Sequence, residues 1–255
     1  MGPLLMAKEV LWRCTRLTLR PPTRVHMFWA YGALSQIEKL AVSSFLANGY
    51  AVTVWSYDHI PNVPSEAVLR DAREILPESA VFLNRRGSYA GFSDLFRYAV
   101  LRQLGGLYAD TDVIALQPSS TLSPRPFLVL EHGNPPTVTG NLIWHPTPTA
   151  GDLIDLAFAY AKHFPRRKIA WAEIGPALLT DLATLSPDHG FDIKPPAFAN
   201  PIGYWDCPRA FLAAGELPDG PFVHLYNEMW RYAGIDKNQQ FDAATVIGKL
   251  CARFA

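Results

Sequence analysis

With 255 residues, 49% of them apolar, the chain can bury a full core, and its 23 basic and 23 acidic residues give no general reason to expect nucleic acid as a partner. Cys14, Cys207 and Cys251 are far apart and odd in number, so they suggest neither a disulfide framework nor a zinc site. No apolar run approaches a membrane span and no signal peptide is evident, so a reducing, cytoplasmic location is expected.

Residues 1–22 form a basic extension in which Lys8, Arg13, Arg16 and Arg20 alternate with Leu4, Leu5, Trp12 and Leu17 before Pro21-Pro22. Peripheral membrane contact through residues 1–20 is one reading. Glu9 interrupts the basic face and the apolar face is ragged, which favours a terminal helix on the core or an unordered tail. The remainder, 23–255, reads as a single domain. Val25–Trp29 is a first buried strand, Leu34–Asn48 a helix stopped by Asn48-Gly49, Ala51–Trp55 a second strand and Ser65–Leu76 a second helix. Strand alternating with helix predicts an α/β fold around a mainly parallel sheet, with sites at the carboxyl ends of its strands.

Phe96, Val100 and Leu104 recur at helical spacing, so Asp94–Leu104 reads as an amphipathic helix capped by Ser93 and ended by Gly105-Gly106. Leu107-Tyr108-Ala109 then reads as a buried strand that stops at Asp110-Thr111-Asp112. Two carboxylates one residue apart repel unless a cation lies between them, and Mn²⁺ or Mg²⁺ suits carboxylate oxygen while leaving positions for phosphates. A solvated acidic turn would show the same D-x-D. Upstream, Asp94 and Arg97 lie three apart on one helix face.

The run S-D-x-x-R-Y-x-x-L-x-x-x-G-G-x-Y-x-D-x-D, filled here by Ser93, Asp94, Arg97, Tyr98, Leu101, Gly105, Gly106, Tyr108, Asp110 and Asp112, resembles the glycosyltransferases with a D-x-D sugar-binding region. Those include capsular-polysaccharide sugar transferases, initiating mannosyltransferases and, distantly, the large glucosylating toxins. The resemblance implies a GT-A-type fold, a divalent metal, a nucleotide-sugar donor, a glycan or lipid-linked acceptor, and transfer with retention of anomeric configuration. It implies that Asp112 is the principal metal ligand and that Asp110 reaches the metal through water or holds ribose and sugar hydroxyls. Asp94 and Arg97 would orient the donor sugar, Tyr108 would line its pocket, and Trp29 would stack on the base while Phe28 joins the core.

Further along, Phe127–Glu131 and Thr139–Trp144 read as strands, and Asn141 holds a position where the family has an asparagine facing a sugar. Asp152–His163 and Trp171–Thr184 read as helices; Gly175, Pro176 and Thr180 match a family element near the acceptor cleft, while Glu173 and Ile174 depart from it. Ser186–Pro221, rich in proline and glycine, reads as an irregular lobe over the site, whose aromatics Phe191, Phe198, Tyr204, Trp205 and Phe211 are expected to be buried. Phe222–Tyr226 is a late strand, and V-H-L-Y-N-x-x-W-R resembles the family's closing motif, which brings His224 to the metal or diphosphate. Asp236–Phe254 is partly helical. A glycoside hydrolase, or a binding module with a vestigial site, are the competing readings. Both acids on one strand face argue against the first, and the full set of motif acids against the second.

Overall fold

The computed structural model describes residues 22–165 and 169–254. Pro22 apart, the basic extension expected over 1–22 lies outside the described residues, as does Cys14. A seven-stranded sheet runs in the order β3 (Val68–Asp71), β2 (Ala51–Ser56), β1 (Arg24–Phe28), β4 (Gly106–Ala109), β7 (Thr137–His145), β6 (Phe127–Glu131), β8 (Asp192–Lys194). Only the pairings of β7 with β4 and β6 are antiparallel, so β7 alone runs against the others. The α/β architecture with a mainly parallel sheet is as expected. A separate two-stranded ribbon pairs β5 (Val113–Ala115) with β9 (Phe222–His224).

Helices cover both faces of the large sheet. On one side α2 (Ala90–Leu104), α3 (Leu153–His163) and α4 (Leu178–Leu185) bury Phe92, Phe96, Val100, Ile154 and Leu179 against Phe28, Trp55 and Tyr108. On the other, α1 (Gln36–Ala47) lays Val42 and Phe45 on Val25, Met27, Val52 and Val54. The alternation of β1 therefore sends Val25 and Met27 to one layer and Phe28 to the other. Below the ribbon, a third cluster joins α1 to α5 (Asn227–Tyr232) and α6 (Val246–Phe254) around Trp230, Ile247 and Leu250. Among the described residues, no helix is long and apolar enough to cross a membrane.

Several local expectations are corrected. The helix expected over Ser65–Leu76 is instead the edge strand β3, paired with β2, and a 3-10 turn over Ala72–Glu74. The Asp71 carboxylate accepts from the Arg73 N–H at 2.9 Å, a local bond that competes with helix continuation, while the open edge of β2 recruits Val68 and Leu69. Ser93 is not a cap. The helix begins at Ala90, because full burial of Phe92 against Phe28 draws its start back by a turn. The helix expected over Trp171–Thr184 is broken by a π-type turn at Glu173–Ala177, where Gly175 leaves helical geometry and Pro176 lacks an N–H to donate. In the 186–221 lobe, Phe191 and Phe211 are buried, but Tyr204 and Trp205 stand in solvent.

Candidate active site

Strand β4 runs through the middle of the sheet with Leu107, Tyr108 and Ala109 fully buried, and Asp110 is the first residue past its end. The Val113 N–H donates to the Asp110 carbonyl at 3.1 Å, closing a turn over Thr111-Asp112 before β5 begins. The turn passes the chain from one sheet to the other. Ribbon pairing then sets His224 opposite Val113, so a residue from the C-terminal part arrives beside Asp112.

The two acids stand in different settings. Asp112 has 9% of its side-chain surface exposed against 25% for Asp110, so the site opens at Asp110. Asp112 Oδ2 accepts from the Asn227 N–H at 2.7 Å. Its Oδ1 is buried, receives no hydrogen bond and lies 3.3 Å from His224 Nε2. On the far side of the imidazole, His224 Nδ1 is 3.2 Å from Asn200 Oδ1, which also accepts from Asn141 Nδ2 at 2.9 Å. An amide oxygen there requires Nδ1 to carry a proton, so the neutral ring keeps the Nε2 lone pair toward the acids and the protonated ring turns an Nε2–H to Asp112. Asn141 thus acts through Asn200, and its carbonyl accepts from the Asp110 N–H at 2.8 Å.

Beneath Asp110 lies a closed ion cluster. Arg97 Nη2 donates to Asp110 Oδ1 at 2.8 Å, and Nη1 donates to Asp94 Oδ1. Arg97 and Asp94 are 5% and 6% exposed, so they sit inside the protein as the support of Asp110 and not on its surface. Tyr108 is fully buried with them. Its hydroxyl lies 3.0 Å from Ser93 Oγ, and the Arg97 guanidinium is 5.1 Å from its ring centre. Two backbone segments lie against this cluster: a Cβ at Gly140 in β7 would overlap the Arg97 guanidinium, and one at Gly175 would overlap the Asp94 carboxylate.

Burial pushes the Asp94 carboxyl up to about 6, with the Arg97 charge pulling back and Asp110 pushing further. Burial and the Asp112 charge together outweigh Arg97 and hold Asp110 above the ordinary carboxylate range. Asp112 goes the other way: burial opposes its ionisation, but the His224 charge, the Asn227 N–H and Lys237 outweigh it and lower its pKa. His224 is raised, because Asp112, Asp110 and Glu131 overcome its burial.

Asp110, Asp112 and His224 each offer a ligand atom within 4.8 Å of the others. Two carboxylates, an imidazole nitrogen held by an outer amide, and a buried carboxylate oxygen without a hydrogen bond fit Mn²⁺ or Mg²⁺. Beyond β1, the Trp29 indole is half-buried, with Nε1 lacking a hydrogen-bond partner. Lys237 Nζ stands 5.7 Å from a Trp29 ring centre, donates to Asn227 Oδ1 at 3.2 Å and is paired with the fully buried Glu38. Phe28 is in the core, 4.3 Å from Phe96 in a stacked pair. Sequence reasoning missed Asn200, Lys237, Glu38 and Gly140. Each is tied to the site by contacts distant in the chain, and none lies in a motif.

Residues 36–128 match the family described as a glycosyltransferase sugar-binding region containing a DXD motif. The matched stretch is thus similar to a glycosyltransferase sugar-binding region. It carries Asp94, Arg97, Tyr108, Asp110 and Asp112, while Trp29, Asn141, Asn200 and His224 lie outside the match. Curated proteins yield no match. Among solved structures, the chain is similar to the PaToxG glycosyltransferase at 16% identity, covering 71% of this chain and 76% of that one with a TM-score of 0.49. It is similar also to the apo form of the glycosyltransferase GlyE in Streptococcus pneumoniae TIGR4, at 14% identity, 85% of this chain and TM-score 0.43; this chain spans 61% of GlyE. At such scores these are likenesses only.

Proposed function

We propose that the protein is a metal-dependent hexosyltransferase that moves a sugar from a UDP- or GDP-sugar to a glycan or glycolipid acceptor with retention of configuration. The observation carrying this reading is the convergence of Asp110, Asp112 and His224 within 4.8 Å at the carboxyl end of a parallel strand, inside a DXD-type sugar-binding region and its C-terminal complement. Mn²⁺ or Mg²⁺ held by these three side chains would offset the charge that develops on a departing nucleoside diphosphate.

The protein's own groups do the rest. Trp29, whose ring stands at the end of β1, takes the base by stacking, worth roughly 1–3 kcal/mol. Arg97 holds Asp110 Oδ1 from below, and Asn200 fixes the His224 ring with Nε2 toward Asp112. Asp94 fixes Arg97 in turn, and serves the donor sugar through that geometry. Preset positioning of this kind lowers a barrier without reorganisation at the moment of reaction.

Incubation with UDP- and GDP-hexoses in the presence of Mn²⁺ tests the reading. Release of nucleoside diphosphate that stops with EDTA is expected. Release indifferent to EDTA would refute the metal assignment, and retention of intact donor without any release would favour a binding protein.

A further inference from the structure

The contacts around Asp112 continue past the metal-binding side chains toward the opposite rim. On one side, Asp112 leads through Asn227 and Lys237 to Trp29, the end assigned to the nucleotide. On the other side, the His224 ring lies 3.9 Å, centre to centre, from the ring of Tyr226. Tyr226 is built under strain. Its φ of 54° is left-handed, a conformation that costs a residue with a Cβ on the order of 1–2 kcal/mol. Only 8% of the residue is exposed, and its hydroxyl has the Glu131 carboxylate as a polar neighbour, in a contact short of a well-aligned hydrogen bond. A buried phenol at a strained position, held only loosely by a carboxylate, is an arrangement that a ligand hydroxyl can complete.

Glu131 ends β6 half-buried, and the next residue, His132, lies 6.3 Å ring to ring from Trp205. Trp205 is 57% exposed and Tyr204 47%, the two rings 5.2 Å apart and nearly perpendicular. The indole folds back over Gly203, where any Cβ would overlap it. A solvent-facing indole thus lies beside His132, and the neighbouring Glu131 meets the Tyr226 phenol, whose ring lies against His224. An indole face suits the apolar C–H face of a pyranose, and paired acceptor and donor groups suit its hydroxyls.

We propose that Trp205, Glu131 and Tyr226 form a saccharide-binding subsite for the acceptor, its pyranose ring on the indole and one hydroxyl between carboxylate and phenol. That the saccharide is the acceptor rests on the transferase reading above; that a saccharide binds there does not. The test is screening of the full chain on a glycan array with Mn²⁺, then titration of the strongest free glycan hit by isothermal calorimetry. Trp205→Ala and Glu131→Gln are each expected to weaken that binding about tenfold, equal to roughly 1.4 kcal/mol. Tyr226→Phe keeps the ring and should also weaken it. UDP and GDP affinity, measured alongside, should stay within about twofold for Trp205→Ala, as a site remote from the base requires. No glycan bound by the wild type, or equal binding by Trp205→Ala, would overturn the subsite. So would a dimer that Trp205→Ala converts to monomer, since the ring would then belong to a contact between copies. If the wild type binds glycan through Trp205 yet neither nucleoside diphosphate, the subsite stands and the transferase reading falls.

Discussion

Arg97 shows how one buried side chain can organise the acids around it. Its guanidinium stands between Asp94 and Asp110, two carboxylates that burial already pushes toward the protonated form. Removing the cation leaves both unpaired, a change that commonly costs about 3–5 kcal/mol. Arg97→Ala is therefore expected to lower stability by that order in urea unfolding, and Arg97→Lys to recover only part of it, because a single ammonium cannot fork to two acids. Asp112→Asn should behave differently. An asparagine oxygen can still accept from the Asn227 N–H, so circular dichroism should show a native fold, while Mn²⁺ affinity by calorimetry falls at least about tenfold, or 1.4 kcal/mol. Undiminished Mn²⁺ affinity would remove Asp112 from the ligand set.

At the scale of elements, the site is made by what packs on α2. Strand β7 crosses Arg97 at Gly140, and the π-type turn crosses Asp94 at Gly175, both without room for a Cβ. Gly140→Ala should displace the guanidinium and cost about 1–3 kcal/mol by overpacking, read from the urea midpoint. It should also weaken Mn²⁺ binding, since Asp110 loses its fixed partner. Loss of stability with Mn²⁺ affinity intact would show that Arg97 supports the fold without setting Asp110. The ribbon contributes in a similar way. The register of β5 on β9 is what sets His224 against the turn, because slipping it by one residue would turn the imidazole to the other face.

For the molecule as a whole, His26 gives a pH dependence of stability. Its Nδ1 accepts from Trp55 Nε1 at 3.2 Å, so Nε2 carries the proton that it donates to the Gly105 carbonyl at 3.0 Å. The ring thereby joins β1, β2 and the end of α2 in its neutral form. Burial lowers its pKa from 6.5 to about 4, with the Gly105 bond opposing. Between these values the unfolded chain takes up a proton that the folded chain refuses. The contribution is complete above 6.5, shrinks as pH falls toward 4 and is constant below that, in all roughly 3 kcal/mol. His145, lowered by burial against the pull of Asp152, acts in the same sense. His26→Gln should flatten the loss of stability between pH 7 and 4.5 in urea titrations; an unchanged slope would assign it to other groups. The sequence alone determined the pieces whose causes are local: the period of α2, the stop at Gly105-Gly106, the D-x-D turn beyond β4, and the separation of Phe28 from Trp29 by strand alternation. It misread Ser65–Leu76, where an unfilled sheet edge outweighed helix propensity, and it did not foresee that Asp94 and Arg97 form a buried ion cluster with Asp110. Only the tertiary structure brought Asn200, Lys237 and Gly140 to the acids. Local signals extend over a few residues, whereas the meeting of Arg97 with Gly140, or of Asp112 with Asn227, depends on strand order and register that no neighbouring residue encodes.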